Sequence, residues 1–381
     1  MQTSVDKRHI LLITRNLPPL VGGMERLLQN VTIGIAEYAQ VTVIGPRGCS
    51  GHLPAAVTVR EVPANLLSFL LVSTWIALRT CMQQSFEVII GGSGLTAPTL
   101  YLLSLFHRSK TVLFLHGLDL VVDSYLYRWF FLPCIRKVSL VITNSLNTKR
   151  LALERGVEAS SIVIINPGTE LPEFPRDDAL ARIRRKYNIN FGKVILFVGR
   201  LTRRKGLSGF IRHSLPTILS AEPTAGLVIV GESPHASLNK LGEEDEVLRE
   251  IERSQKGEHI VFLGHVDNRD LTACYAIADV QVLPLVEVPG DVEGFGMIAV
   301  EAAASGTPTV AFDLGGVSDA ISAENGYLIP AQDYTSLSNS VIDILRTQQP
   351  DRESCINHAR NYSWPLFHAR VRAALAELLP S

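Results

Sequence analysis

The run Asp291-Val-Glu-Gly-Phe-Gly-Met-Ile-Ala-Val-Glu301, continued by Ala302-Ala-Ala-Ser-Gly-Thr-Pro308, decides the fold of this chain. It begins with an acidic, glycine-rich turn and continues with small and apolar residues, a pattern that predicts a helix over residues 295–305. Gly306 and Pro308 then supply the stop signals expected just past a helix end. The run therefore predicts a glycine turn that leads directly into a helix.

Two carboxylates flank this helix start. Glu293 falls in the turn, and Glu301 falls about a turn and a half into the helix. Amide groups near Gly294, Phe295 and Gly296 would point out of the helix N-terminus, which favours phosphate. Glu301 could accept hydrogen bonds from a pair of sugar hydroxyls, as an acidic residue does in dinucleotide folds. The alternative is a pair of solvated carboxylates on an ordinary helix, but two of them around one glycine-rich start favour a ligand site.

The composition is that of a globular protein with two domains. The chain has 381 residues, of which 46% are hydrophobic and 19% charged, and its formal net charge of -1 gives no reason to expect nucleic-acid binding. The 5 cysteines form no CxxC pair, so neither a disulfide framework nor a zinc site is indicated. Residues 1–9 are polar and lack the apolar core of a signal peptide, so we expect a cytoplasmic protein.

Short apolar runs alternate with helical patterns in both halves of the chain. In the first half they span residues 9–14, 40–44, 86–90, 110–115, 140–143 and 162–165. In the second half they span residues 193–198, 227–231, 259–264, 280–284 and 307–312. This alternation predicts parallel, doubly wound sheets, whose ligands sit beyond the carboxyl ends of the strands. A dinucleotide-dependent oxidoreductase would share the alternation, but the GxGxxG fingerprint is absent.

The loop Gly199-Arg-Leu-Thr-Arg-Arg-Lys205 follows one of these strands and concentrates four cations. Arginine offers a planar fork to phosphate oxygens and lysine a compact charge, so the loop is suited to a diphosphate. The alternative is a solvated basic loop. We expect Arg203 and Arg204 to face solvent.

Three strand ends in the first half carry further candidates. His116 and Asn144 each follow a predicted strand, and the plainer interpretations are a structural histidine and a helix cap provided by Asn144 or Ser145. Gly22 and Gly23 follow the first strand, where they would otherwise form an ordinary tight turn.

The two glutamates with seven residues between them resemble the signature of the retaining glycosyltransferases of family 4 (group 1), which have the GT-B fold. Pro284, Gly315-Gly316 and residues 325–330 match the same signature, and the resemblance covers nearly the whole chain. It implies an α/β fold of two facing Rossmann-like domains with an interdomain cleft. Residues 1–172, with a terminal helix at about 363–381, would bind the acceptor, and residues 173–362 would bind the nucleotide sugar.

The resemblance also implies roles for particular residues. The implied catalytic residues are His116, Glu293, Arg200 and Lys205. The implied donor-binding residues are Gly22, Gly23, Gly199, Gly231, Val266, Gly294, Phe295, Gly296, Met297 and Glu301. Asp119 and Asn144 are implied acceptor-binding residues. Because two cations and a helix N-terminus would stabilise the leaving diphosphate, we expect no metal requirement and no cofactor.

The run Gly290-Asp-Val-Glu-Gly-Phe-Gly is most similar to bacterial phosphatidylinositol mannosyltransferases. This likeness implies transfer of mannose from GDP-mannose to a glycan or lipid-linked acceptor in cell-surface polysaccharide or glycolipid synthesis. The alternatives are a UDP-sugar-dependent enzyme of the same family and a non-catalytic sugar-nucleotide-binding protein.

Two apolar stretches, residues 66–78 and 125–132, stand out in the first half. Both are shorter than the roughly 20 residues needed to cross a bilayer. They fit either buried helices of an α/β domain or a surface that rests on the inner face of the plasma membrane, beside a lipid-linked acceptor.

Overall fold

The computed structural model describes residues 8–122, 124–232 and 243–379. Its contacts divide the chain into unit 1, Met1–Gly168 with Trp364–Ser381, and unit 2, Thr169–Ser363. Each unit contains one parallel sheet with packed helices. The predicted fold class, two Rossmann-like α/β domains, is thereby confirmed.

The described residues of unit 1 form seven parallel strands in the order β3-β2-β1-β4-β5-β6-β7. The strands are β1 (His9–Ile13), β2 (Gln40–Pro46), β3 (Thr58–Val62), β4 (Val88–Gly91), β5 (Lys110–Leu115), β6 (Leu140–Thr143) and β7 (Ile162–Ile164). The helices are α1 (Gly23–Ala36), α2 (Leu66–Gln83), α3 (Ala97–Phe106), α4 (Leu118–Val121), α5 (Leu132–Ile135), α6 (Leu146–Glu154) and, from the chain's end, α15 (Trp364–Leu378).

One face of the unit 1 sheet is covered by α2, α3 and α5. Alternate side chains of the central strands, such as Leu11 and Leu113, pack into one core with Phe69 of α2 and Leu100 of α3. The terminal helix α15 packs against α1, where a Cβ on Gly34 would collide with the ring of His368. Successive side chains of a strand point to opposite faces of the sheet. A strand that is buried on both faces is therefore apolar at nearly every position.

Within the part of unit 2 that the structure describes, six parallel strands lie in the order β10-β9-β8-β11-β12-β13. The strands are β8 (Lys193–Val198), β9 (Ala225–Val230), β10 (Ile260–Gly264), β11 (Val280–Leu283), β12 (Thr309–Phe312) and β13 (Gly326–Ile329). The helices are α7 (Asp177–Lys186), α8 (Leu207–His213), α9 (Leu215–Ala221), α10 (Glu244–Ser254), α11 (Asn268–Ile277), α12 (Met297–Ala304), α13 (Tyr334–Thr347) and α14 (Arg352–Arg360).

The unit 2 sheet is covered on both faces. Ile195 and Phe197 pack with α8, α9 and α13, whereas the alternate residues Val194 and Leu196 pack with α7 and α11. Because neighbouring residues of one strand enter different cores, the sheet is doubly wound, as the sequence predicted.

Two strands were missing from the sequence-based prediction. β3 reads Thr-Val-Arg-Glu-Val and lies at the edge of its sheet, where exposed and charged residues break the apolar run. The second missed strand, β13, lies at one edge of the unit 2 sheet, next to β12. β3 therefore lacks the continuous apolar signal of a strand buried on two faces, whereas β13 reads Gly-Tyr-Leu-Ile and is apolar but only four residues long.

Candidate active site

The strand order of unit 2 reverses between β8 and β11, which are neighbours in the sheet. In parallel α/β sheets ligands bind at such a switch point, beyond the carboxyl ends of the strands. The loops that follow these two strands contact each other. The amide of Val286 donates to the carbonyl of Arg204 at 2.9 Å, and a Cβ on Gly206 would collide with the carbonyl of Pro284. Gly206 also has φ 66°, a conformation that favours glycine. Glycine therefore suits both the backbone conformation and the close contact at this position.

A cluster of four charged side chains joins these loops. Lys205 Nζ donates to Glu293 Oε2 at 2.7 Å, and Arg204 Nη1 donates to the same oxygen. Arg204 Nε donates to Asp291 Oδ1 at 3.1 Å. The side chains of Arg204 and Lys205 are each 9% exposed, and that of Glu293 is 16% exposed. Two loops that are distant in sequence are therefore held together by buried ion pairs.

Burial alone would raise the pKa of Glu293, but the charges of Lys205 and Arg204 outweigh it and lower this pKa to about 2. Glu293 is therefore an ionised carboxylate at neutral pH, and it accepts hydrogen bonds without offering a proton.

The expectation that Arg204 faces solvent is wrong. Arg204 and Lys205 are buried, whereas Arg200 and Arg203 are exposed. Residues Arg203–Lys205 form one 3-10 turn, in which successive side chains point about 120° apart. Adjacent arginines of the same loop therefore have opposite environments. Sequence reasoning also missed Asp291, although its position two residues before Glu293 was a usable signal.

The helix after the glycine turn, α12, begins at Met297 and not at Phe295, and it ends at Ala304. Gly296 precedes it with φ 88°, a left-handed conformation that cannot belong to the helix. The helix therefore begins two residues later than the sequence predicted. The Phe295 side chain is 2% exposed and packs in the core against Tyr362, so this residue can meet a ligand only through its backbone. The first amides of a helix have no acceptor four residues before them within the helix. In α12 the Ala299 amide instead donates to the carbonyl of Gly296 at 2.9 Å.

Glu301 lies in the second turn of α12. Its Oε2 accepts a hydrogen bond from the hydroxyl of Tyr275 at 3.2 Å. Tyr275 comes from α11, so a neighbouring helix orients this carboxylate. Of the predicted set, the structure places Glu293, Gly294 and Gly296 before α12, and Met297 and Glu301 on it.

Glycines bring the ends of β8 and β9 into contact. A Cβ on Gly231 would collide with the carbonyl of Gly199, and the Gly231 amide donates to the carbonyl of Gly264 at 2.9 Å. Val266 follows β10, and its side chain is 8% exposed within the core shared with α11. Glu232, which the sequence analysis missed, accepts from the His265 amide at 3.0 Å and so fixes the turn before Val266.

In unit 1 the predicted catalytic histidine follows β5. His116 is 6% exposed, and its Nε2 lies 2.8 Å from the carbonyl oxygen of Gly92, which follows β4. A neutral ring that donates from Nε2 carries its lone pair on Nδ1. Asp119 accepts from the His116 amide at 3.0 Å through Oδ2 and from the Gly94 amide at 3.0 Å through Oδ1. Asp119 thus fixes the backbone around the histidine.

The remaining predicted residues of unit 1 lie at the same carboxyl edge of the sheet. Asn144 Oδ1 accepts from the Thr148 hydroxyl at 2.7 Å, while Ser145 caps α6, so the cap is Ser145 and not Asn144. Gly22 and Gly23 are exposed at the start of α1. A Cβ on Gly22 would meet only the carboxylate end of the Glu25 side chain, so this contact does not by itself require glycine.

A pocket of about 550 Å³ lies beside the charged cluster in unit 2, and it contains none of the predicted site residues. It is lined by α8, the start of α13 and residues 286–287, on the face of the sheet that α8 covers. We place the candidate site at the switch point, because the buried charges and the glycine contacts converge there. Over residues 8–122, 124–232 and 243–379, no group of three or more His, Cys, Asp or Glu side chains could hold a metal ion.

An apolar surface covers the outer side of α2, α3 and residues 125–130 in unit 1. Because these elements pack into one core on one face of the sheet, their exposed sides point away from that face together. Trp75 is 59% exposed and Trp129 is 82% exposed. The interpretation of the two apolar stretches as fully buried helices, with these tryptophans in the core, is therefore wrong. The other exposed apolar side chains are Leu67, Leu71, Met82, Tyr101, Leu105, Phe106, Tyr125, Leu126 and Phe130.

Helix α2 continues to Gln83, five residues beyond the apolar stretch identified in the sequence. Its 18 residues have a mean hydropathy of 1.4, which meets the length and composition of a membrane span and corrects the expectation that this stretch is too short. Phe69, Ala77 and Cys81 nevertheless lie in the core of unit 1, so one side of the helix belongs to the domain.

Two family models match the chain in succession. The model described as "Glycosyltransferase Family 4" matches residues 21–172, and the model described as "Glycosyl transferases group 1" matches residues 181–362. The GDP-mannose-dependent alpha-(1-6)-phosphatidylinositol monomannoside mannosyltransferase of Mycolicibacterium smegmatis is 27% identical, over 97% of this chain and 98% of its own length.

Solved structures share the fold at lower identity. A glycosyltransferase from Rickettsia africae superposes with a TM-score of 0.80 at 17% identity, over 99% of this chain and all of its own. The Anabaena protein HepE in complex with UDP-glucose superposes with a TM-score of 0.77 at 19% identity, over 97% of this chain and 99% of its own. Both have the GT-B arrangement of two parallel-sheet domains.

Proposed function

Because the chain belongs to the group 1 glycosyltransferases of family 4, we propose that it transfers mannose from GDP-mannose to a lipid-linked or glycan acceptor. The observation that carries the proposal is the ion cluster of Lys205, Arg204 and Glu293 at the switch point of unit 2, beside the start of α12. This cluster supports the proposal, because its cations lie at the edge of the sheet where Rossmann-like domains bind their ligands.

The donor is proposed from the relatives. The M. smegmatis enzyme is named as GDP-mannose-dependent and aligns along nearly its whole length. The structures of HepE with UDP-glucose support a UDP-sugar as the alternative donor. A non-catalytic sugar-nucleotide-binding protein is a second alternative. The joint presence of the five implied site residues disfavours it, because a scaffold has no need of all of them: His116, Arg200, Lys205, Glu293 and Glu301.

The leaving diphosphate gains negative charge as the sugar departs. Arg200 and Lys205 would stabilise it from the β8 loop, and the first-turn amides of α12 would do so from the helix N-terminus. We propose that these groups suffice and that transfer needs no metal ion and no cofactor. Gly199, Gly231 and Gly294 would let the backbone approach the donor closely.

We propose that the anomeric configuration is retained. The bond from the sugar carbon to the diphosphate breaks, the acceptor oxygen attacks from the same face, and its proton passes to a donor phosphate oxygen. Glu293, which is ionised and held by two cations, would position the sugar ring and need not attack it. Glu301 would accept hydrogen bonds from the ribose hydroxyls, and His116 would act on the transferred sugar or the donor phosphate.

We further propose that unit 1 binds an acceptor that is attached to a lipid, with Asp119 and Asn144 near it. The apolar surface of α2, α3 and residues 125–130 supports this, because Trp75 and Trp129 are exposed there. Arg128 lies within residues 125–130, and Lys137 follows shortly after them in the sequence. Both are exposed and could meet anionic headgroups. The enzyme would then rest on the cytoplasmic face of the plasma membrane.

The test is a panel of nucleotide sugars with matched nucleoside diphosphates, read by calorimetry and by release of the diphosphate. GDP-mannose should bind and be turned over or slowly hydrolysed, whereas UDP-glucose, UDP-galactose and ADP-glucose should not. A preference for a UDP-sugar would transfer the proposal to that donor. Binding without turnover, with every donor and with lipid acceptors supplied, would favour the non-catalytic alternative.

A further inference from the structure

Arg204 and Lys205 are neighbours in sequence and bind the same oxygen of Glu293. The side chain of Arg204 is 9% exposed, and its Nε binds Asp291, whose side chain is 14% exposed. Its guanidinium therefore bridges two carboxylates of the loop that leads into α12. Lysine could not replace it, because an ammonium group lacks the planar fork that reaches two acceptors in fixed directions.

The charges show what Arg204 changes. Without Arg204, the ammonium of Lys205 would face the carboxylates of Glu293 and Asp291, and this net negative charge would oppose a diphosphate. Arg204 binds both carboxylates and balances the charge of the cluster. Lys205 can then direct one N–H to a phosphate and keep another on Glu293, since an ammonium group has three donors.

We propose that Arg204 is a positioning residue. It holds Glu293 in place and balances the negative charge of this carboxylate, so that Lys205 can act on the donor diphosphate. Asp291 in turn holds Arg204. This proposal rests on the proposed function. Arg204 itself does not touch the donor, and its role passes through Glu293 and Lys205.

The first experiment measures the ionisation of Glu293 without any donor, by carbon-13 NMR of its carboxyl group. The charged groups that face Glu293 are Lys205 and Arg204, with Arg200 acting on Lys205 and Asp291 acting on Arg204. In the wild type, Glu293 should stay ionised from about pH 8 down to about pH 4. In Arg204→Met, burial still raises its pKa while one cation is lost, so the carboxyl should titrate within that window.

The second experiment measures the reaction. Arg204→Met should lower kcat about 100-fold, the scale of a small misplacement of reacting groups, and the acid limb of its pH profile should move to higher pH. Arg203→Met removes the exposed neighbouring cation and is the matched control, which should leave both the titration and kcat near wild type. Arg204→Lys should restore the ionisation of Glu293 and only part of kcat.

If Arg204→Met does not fold, Arg204→Lys and Asp291→Asn carry the test, each with kcat reduced about tenfold and Glu293 still ionised. The proposal is overturned if a folded Arg204 variant keeps Glu293 ionised across the window and kcat within about twofold of wild type. Absence of turnover in the wild type would refute the proposed function, whereas the NMR titration would still decide whether Arg204 controls Glu293.

Discussion

Lys205 Nζ lies 2.7 Å from Glu293 Oε2, although 88 residues separate them in sequence. The contact joins the loop after β8 to the loop before α12, and both side chains are largely buried. A buried carboxylate with two cations on one oxygen is held in a fixed position and a fixed charge state. Replacement of Lys205 or Glu293 should therefore change both the position and the charge of the partner that remains.

Replacement of the two predicted diphosphate ligands should separate catalysis from stability. Arg200→Ala and Lys205→Ala should each remove on the order of 2–4 kcal/mol of transition-state stabilisation. Arg200 is exposed, so the unfolding midpoint of its variant should match wild type. Lys205→Ala should also lower the free energy of unfolding, by about 1–3 kcal/mol, because Glu293 loses one of its buried partners.

Steady-state kinetics and thermal unfolding check these values, with Arg203→Ala as the control. Arg203 is an exposed arginine of the same loop, so its variant should keep both turnover and midpoint. Normal turnover in both Arg200→Ala and Lys205→Ala, with every sugar donor that the wild type accepts, would remove these residues from the site.

The two glutamates should give opposite phenotypes. Glu301→Gln should weaken binding of GDP and of other nucleotides alike, because the ribose is common to them. Glu293→Gln should suppress turnover and leave GDP affinity equal or higher, because Lys205 is then free of its counter-ion. Calorimetry with GDP and single-turnover kinetics measure the two effects. An exchange of the two phenotypes would reverse the roles assigned here to Glu293 and Glu301.

Turnover should survive a chelator. The cations that the proposed mechanism uses are side chains, Arg200 and Lys205, so excess EDTA should leave kcat within about twofold of its value without chelator. Dialysis against EDTA followed by assay, then by addition of manganese or magnesium, provides the measurement. Activity that disappears in EDTA and returns with either metal would show that side-chain cations are insufficient.

Much of the fold could be predicted from the sequence because the central strands are buried on both faces. Residues 110–115, 140–143 and 193–198 were predicted with the bounds that the structure has, and each consists mainly of apolar residues. Thr58–Val62 was missed because an edge strand with an exposed face keeps charged residues. The apolar signal therefore reports apolar composition, and it also found the edge strands β7 and β10, whose residues are largely apolar.

The site was predicted less completely, and Arg204 shows why. Arg203, Arg204 and Lys205 are consecutive cations, and nothing in their order tells which side chains turn inward. The 3-10 turn decides it, and the acceptors that stabilise the inward conformation, Asp291 and Glu293, come from a distant loop. A property that depends on a contact across 87 or more residues cannot be read from a local motif.

Unit 1 should bind anionic membranes peripherally. Trp75 and Trp129 are exposed on one apolar surface, so both aromatic rings can enter the headgroup boundary, and Arg128 and Lys137 can meet anionic lipid. The buried side of α2 carries Phe69 in the core, which argues against insertion of the whole helix. The wild type should therefore sediment with vesicles that contain anionic lipid, and it should be released by salt.

The charge-reversal variants Arg128→Glu and Lys137→Glu should each weaken this binding by about 1 kcal/mol or more, since each cation near an anionic surface contributes about that amount. Arg185→Glu is the matched control, because Arg185 is an exposed cation of α7 in unit 2 and lies outside the apolar surface. Trp129→Ala should weaken binding in high salt as well, since its contribution is apolar and is not screened. Wild-type protein that stays in the supernatant at low salt would refute the membrane proposal, and glycosyl transfer to a soluble acceptor would then be the activity to measure.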